Sequence, residues 1–180
     1  MILLGGCAQQ SLAPDSGLIF SAAGKLALRD ADSGYTANFS WDHYDDRDVV
    51  AVWGPLGQGR TELSSTADRM RVHSGGKLIA EGAPQDLLDE YLQWSVPLPV
   101  LSAWLQGRPA AGWPVEAFET DAQGRGVRFV QAGWQVSLRR SGAATGSLPA
   151  GVPVQINAVA GPVTVKVVVR QFQRGNPTAP

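Results

Sequence analysis

Metal ligation, phosphate binding and nucleophilic catalysis each need particular side chains at particular spacings, and this 180-residue chain offers a few places to look for them. Its two histidines, His43 and His73, lack the H-E-x-x-H spacing that puts two imidazoles on one helix face for zinc. The run Asp42-His43-Tyr44-Asp45-Asp46-Arg47-Asp48 is rich enough in carboxylates for calcium. It lacks the sixth-position glycine and closing glutamate of an EF-hand loop, and it reads as a solvated hairpin turn. Gly54-Pro55-Leu56-Gly57-Gln58-Gly59 is no phosphate loop, because Pro55 removes an amide donor, no lysine closes it and a strand follows. No G-x-S-x-G supplies a nucleophile elbow. A single cysteine, Cys7, excludes an internal disulfide and a cysteine-ligated zinc cluster. Fifteen basic against sixteen acidic residues, a net charge of −1, leave no basic face to neutralise nucleic-acid phosphates. The residues point to a binding protein that is not an enzyme and needs no metal or cofactor.

The cysteine has a different chemistry. Met1-Ile2-Leu3-Leu4-Gly5-Gly6-Cys7-Ala8 is an apolar run, two small residues and a thiol, and it resembles the lipobox of bacterial lipoproteins. In such a motif a peptidase cleaves before the cysteine. The small residues admit the enzyme, the leucine fits an apolar subsite, and only a thiol accepts the thioether-linked lipid. Each buried methylene of the attached chains is worth about 0.8 kcal/mol, so two or three chains anchor stably. A secretory signal needs about 7–15 apolar residues, so residues 1–6 read as the remnant of one. Residues 7–17 then form the lipidated N-terminus and a polar tether. Ala8 in place of Asp after the cysteine points, by the same resemblance, to the outer membrane. No stretch reaches the roughly 20 apolar residues of a membrane-spanning helix.

The elements that must position any site are mostly strands. Two-residue alternation places Tyr35, Ala37, Phe39 and Trp41 on one face of a strand, and Lys25–Arg29 alternates before it. Further strands are expected over Val49–Trp53, Arg60–Thr66, Met70–Val72 and Lys77–Ala80, with Gly75-Gly76 turning a hairpin. Others follow over Ala117–Thr120, Val127–Gln131, Trp134–Arg139, Val154–Val159 and Val163–Phe172. About ten or eleven short strands separated by turns suggest a sandwich or barrel. One stretch, Pro84 to Gly107, is helical. Leu87, Leu88, Tyr91 and Leu92 form a stripe, Val96-Pro97-Leu98-Pro99 breaks it, and Leu101, Trp104 and Leu105 mark one side of a second short helix ended by Gly107. Two short amphipathic helices can cover one mouth of a curved sheet. Large inward aromatics under such a cover are one way to hold an apolar ligand. Leu56, between Pro55 and Gly57, either projects from its turn or folds back onto the core.

Several of these segments, in order over about residues 18 to 173, resemble the LolB family of outer-membrane lipoproteins that insert other lipoproteins. They are the lipobox cysteine, Phe20-Ser21-Ala22-Ala23-Gly24-Lys25-Leu26-Ala27-Leu28, Phe39-Ser40-Trp41, Gly54-Pro55-Leu56-Gly57, Gly133-Trp134-Gln135-Val136 and Leu148-Pro149. The long segment Val96-Pro97-Leu98-Pro99-Val100-Leu101-Ser102-Ala103-Trp104-Leu105-Gln106-Gly107 belongs with them. Phe172 stands where the family usually has a terminal tryptophan, and Ser137-Leu138-Arg139 is plainer than the family's tyrosine-rich strand.

The resemblance implies a mainly β fold, an open, strongly curved antiparallel sheet (an unclosed barrel) with a short helical lid over a hydrophobic cavity. It implies one domain over 18–173, with 174–180 a disordered tail. A protein of this kind accepts acylated lipoproteins from a LolA-like periplasmic carrier and releases them into outer-membrane phospholipid, as a monomer lipid-anchored through Cys7. The loop of Pro55, Leu56 and Gly57 matches the family's membrane-insertion loop. The cavity for the cargo's acyl chains is expected to be lined by Phe39, Trp41, Val50, Val52, Leu88, Leu101, Trp104, Leu105 and Trp134. The alternative is a barrel, or a LolA-like carrier, that binds an apolar ligand without transferring it.

Overall fold

A computed structural model describes residues 17–92 and 96–175, without the side chains of Tyr91 and Leu92. The expectations for residues 1–16, Cys7 among them, for the side chains of Tyr91 and Leu92 and for the last five residues lie outside it. Eleven strands form: β1 (Leu18–Arg29), β2 (Gly34–Tyr44), β3 (Asp48–Trp53), β4 (Thr61–Ser65), β5 (Met70–Ser74) and β6 (Lys77–Gly82), then β7 (Val115–Thr120), β8 (Gly126–Gln131), β9 (Trp134–Arg140), β10 (Pro153–Ala160) and β11 (Val163–Arg174). Helices α1 (Pro84–Leu92) and α2 (Leu98–Leu105) fall between β6 and β7. The sheet is antiparallel throughout, in the order β6-β5-β4-β3-β2-β1-β11-β10-β9-β8-β7.

This order follows from two meanders joined at the chain's outermost strands. The long ladder between β1 and β11 sits at the centre, and a bulge at Ala23/Gly24 bends it. The edges are therefore β6 and β7, and the chain passes between them through the two helices. Alternation sets the inner face: Phe20, Ala22, Leu26 and Leu28 of β1 and Ala37, Phe39 and Trp41 of β2 are buried together. Tyr35 shares the β2 phase but lies beyond the core and is exposed. Phe172 packs against Phe20 with stacked rings 5.3 Å apart.

The helices differ from expectation in two ways. The second begins inside the Val96–Pro99 stretch, because Pro99 falls in its first turn, where a missing N–H breaks no bond. It is also not amphipathic. Seven of its eight residues are buried, all but Pro99, so it is a plug and the sheet must curl around it. Its end is a Schellman motif: the Gly107 N–H donates to the Trp104 carbonyl at 2.9 Å and the Arg108 N–H to the Ala103 carbonyl at 3.1 Å. Gly107 has φ +82°, a conformation that favours glycine. Strand β11 runs on to Arg174, the first residue of the expected tail.

Candidate functional site: an apolar cavity under two helices

Between the helices and the N-terminal half of the sheet lies a narrow space of about 20 Å³, room for roughly one water molecule. Only apolar or aromatic side chains line it. Six of the nine residues expected to line a cavity do so: Phe39, Trp41, Val50, Leu88, Leu101 and Leu105. Leu26, Leu63, Leu98 and Val167 complete the wall. Leu26 and Leu63 were legible as members of strands, but nothing in single-strand alternation tells a cavity wall from ordinary core. Leu98 sits in what reads as a helix break.

Val52, Trp104 and Trp134 are buried but are not part of that lining. Val52 shares the Val50 face nearer the end of β3. Trp134 opens β9, paired with Gln131 of β8. Trp104 faces β8, where its Nε1–H donates to Gln131 Oε1 at 3.1 Å and its ring meets Phe129 edge-on.

The two helices are held differently. Gln131 is almost fully buried, and both ends of its amide are satisfied twice. Its Oε1 accepts from Trp104 Nε1 and from the Ala110 N–H at 2.8 Å, while its Nε2 donates to the Ala110 carbonyl at 2.9 Å and the Trp113 carbonyl at 3.2 Å. Arg140 on β9 donates from Nη2 to the Gly107 carbonyl at 2.5 Å and the Gly126 carbonyl at 2.8 Å, and from Nη1 to the Gly151 carbonyl at 2.9 Å. Burial lowers the pKa of this guanidinium, and repulsion from Arg125 adds to the effect. Helix α2 is thus fastened at Trp104 and at its C-cap. Helix α1 packs against β5 and β6 through Leu87 and Leu88. Neither Gln131 nor Arg140 belongs to a recognisable motif, although a glutamine in the inward phase of Phe129 is a signal of a buried polar network.

At one end of the sheet the aspartate-rich turn joins β2 to β3. Asp45 and Asp46 are exposed, as expected of a solvated turn. Asp48 is not: its Oδ1 accepts from Trp41 Nε1 at 2.6 Å and pairs with His43 Nδ1 at 2.7 Å. Asp42 accepts from Ser21 Oγ at 2.5 Å. Two of the four carboxylates therefore serve structure, and one fixes the indole that walls the cavity. An open groove of about 410 Å³ runs over this turn and the starts of both helices, and it shares Leu88 and Leu98 with the narrow apolar space. Among the described residues no three His, Asp or Glu side chains group to hold a metal.

At the opposite end the β3–β4 loop carries Leu56. The loop closes on itself, the Gly54 N–H donating to the Gln58 carbonyl at 2.8 Å and the Gly57 N–H to the Gly54 carbonyl at 3.0 Å. Asn38 Nδ2 pins its base through the Gly54 carbonyl at 3.2 Å. Gly57, at φ +79°, turns the tip in open space. Leu56 projects, 85% exposed, and does not fold back onto the core.

The model of the family described as outer membrane lipoprotein LolB matches residues 19–172. An outer-membrane lipoprotein LolB from Chromohalobacter salexigens is 32% identical, covering 76% of this chain and 71% of its own. That of Chromobacterium violaceum is 32% identical and covers 96% and 94%. Among solved structures, a LolA superfamily protein from Nitrosomonas europaea shares the fold at a TM-score of 0.53 and 8% identity, over 91% of this chain and 88% of that one. Family match, identity and an eleven-stranded unclosed sheet around two helices agree: the chain belongs to the LolB family of outer-membrane lipoproteins.

Proposed function

We propose that this protein accepts the acyl chains of lipoproteins from a LolA-like periplasmic carrier and passes them to the outer membrane, where acylated Cys7 anchors it. The observation that carries the reading is the wholly apolar lining beneath Leu88, Leu98, Leu101 and Leu105. An exposed acyl chain costs about 0.8 kcal/mol per methylene in water. An apolar interior removes that cost without bond chemistry, so direction needs only a tighter acceptor at each step, tenfold per about 1.4 kcal/mol.

A space the size of one water cannot take a fatty chain, so acceptance requires the cover to move. The fastening described above leaves α1 as the mover and α2 as the fixed wall. Displacing α1 from β5 and β6 uncovers the cavity along the β6 edge. Leu56 is the side chain that first meets lipid.

The tether sets a limit on the arrangement. The described chain starts at the end of the sheet opposite Leu56, since the Asp45 N–H donates to the Gly17 carbonyl at 2.9 Å. The eleven residues from Cys7 to Gly17 reach at most about 36–40 Å. The twelve-residue β1 is about 40 Å long. Anchor and Leu56 reach one bilayer only with the tether nearly extended or the sheet lying over.

The test is handover of a labelled lipoprotein from the carrier to the full chain and on to vesicles. Capture followed by delivery supports the proposal. Capture of an apolar ligand with no delivery by the intact protein supports the non-transferring alternative, and no capture removes both.

A further inference from the structure

The large apolar side chains left exposed are not scattered over the surface. The register places the β1–β2, β3–β4, β5–β6, β8–β9 and β10–β11 turns at one end of the sheet. Leu56, Leu78, Ile79, Trp113, Val115 and Val159 are all exposed on or beside the connections at this end. Ile19 lies at the other end, and Phe118 partway along β7. Both ends carry mixed charge: Asp30 and Asp32 lie on the β1–β2 turn at the apolar end, and Arg47, Arg69 and Arg125 on turns at the other. Arg60, its guanidinium 5.0 Å over the Trp53 ring, and Lys77 stand among the apolar tips. Exposed Asp45, Asp46, Asp68 and Asp86 stand on the turns and the first turn of α1 at the far end.

We propose that this whole end is a bilayer-contact surface, in which Trp113, on the far half of the sheet from Leu56, is a second side chain that enters lipid. The proposal rests on reading Leu56 as a membrane contact and extends it. Tryptophan suits the boundary, because its apolar rings and one N–H match a layer that is oily below and wet above. Its placement is firm: the Trp113 carbonyl accepts from the buried Gln131, so the residue is held to β8 and does not drift. Arg60 and Lys77 can pair with lipid phosphates. A protein partner would need one continuous, complementary patch. Here the apolar tips stand on separate turns, an arrangement that a fluid bilayer accepts and a fixed surface does not.

The test uses the full chain carrying Cys7→Ala, which is free of cysteine and of any acyl anchor. Single cysteines introduced as Leu56→Cys, Trp113→Cys and Ile19→Cys are labelled with an environment-sensitive fluorophore. They are mixed with vesicles of phosphatidylethanolamine and phosphatidylglycerol. Labels at 56 and 113 brighten and are quenched by nitroxide lipids, while the label at 19, a position as exposed as 113, is unchanged. Trp113→Glu weakens vesicle flotation about tenfold with unfolding unaltered. A response at 56 with none at 113 overturns this proposal and leaves the Leu56 reading standing. Silence at both overturns both. A response at 113 to the purified carrier but not to vesicles assigns the surface to a protein and also overturns the proposal.

Discussion

If α1 alone is the moving cover, it should open at a cost set by what holds it. Its described contacts with the core are Leu87 and Leu88, each worth about 1.5–3 kcal/mol when buried, so release should cost about 3–6 kcal/mol. Helix α2 buries seven residues and is bonded by Gln131 and Arg140, so it should come free only when the sheet unfolds. Native-state hydrogen exchange separates the two. Amides from Leu88 to Leu92 should exchange through a small opening with little urea dependence, and those of Leu101 to Leu105 through global unfolding. Leu88→Ala truncates a side chain that also walls the cavity. At a site free to close up, the loss is about 2–3 kcal/mol, so α1 exchange should accelerate roughly 30- to 150-fold. The same variant should take up a fluorescent fatty acid faster, because the closed cover is populated less. One shared free energy and one shared urea slope for the two helices would refute the reasoning, since they would then open as a unit.

Gln131→Leu leaves the Trp104 indole N–H and the backbone groups of Ala110 and Trp113 without partners. Each such buried group costs about 1–3 kcal/mol, so unfolding in urea should show a loss of at least about 3 kcal/mol. Protection of α2 should fall with it while the opening of α1 stays as it was. Gly107→Ala forces a left-handed residue to carry a Cβ, at about 1–2 kcal/mol, and runs that carbon into Arg140 Nη1. Gly112→Ala, at φ +80° with open space around it, should cost only the first amount, and equal losses in the two variants would remove Arg140 from the account.

Much of the sheet was legible from alternation, because a face that must be buried writes a two-residue period into each strand. The Phe39–Trp41 face, the Gly75-Gly76 hairpin and the end of α2 at Gly107 all follow from local chemistry. Helix α2 did not. A helix enclosed on every side loses its polar face, so its hydrophobic stripe underreports its burial. The division of the site also stayed hidden. Trp41 and Trp104 look alike in sequence, yet one walls the cavity with its N–H on Asp48 while the other fastens the plug through Gln131. Those roles depend on partners 7 and 27 residues away, which no local pattern encodes. The aspartate run divided for the same reason, two carboxylates finding partners across the ladder and two meeting water.

The central claim is that a carrier's acylated cargo enters the apolar interior and leaves through a surface led by Leu56. It is tested most directly by following a labelled lipoprotein from a LolA-type carrier to the wild type and to Leu56→Glu, with vesicles as the final acceptor. Leu56 is 85% exposed, so the substitution should leave folding within about 0.5 kcal/mol of wild type. The account predicts that the variant takes the cargo and holds it, with delivery to vesicles stalled. Normal delivery by Leu56→Glu, or a wild type that never takes the cargo, would contradict it.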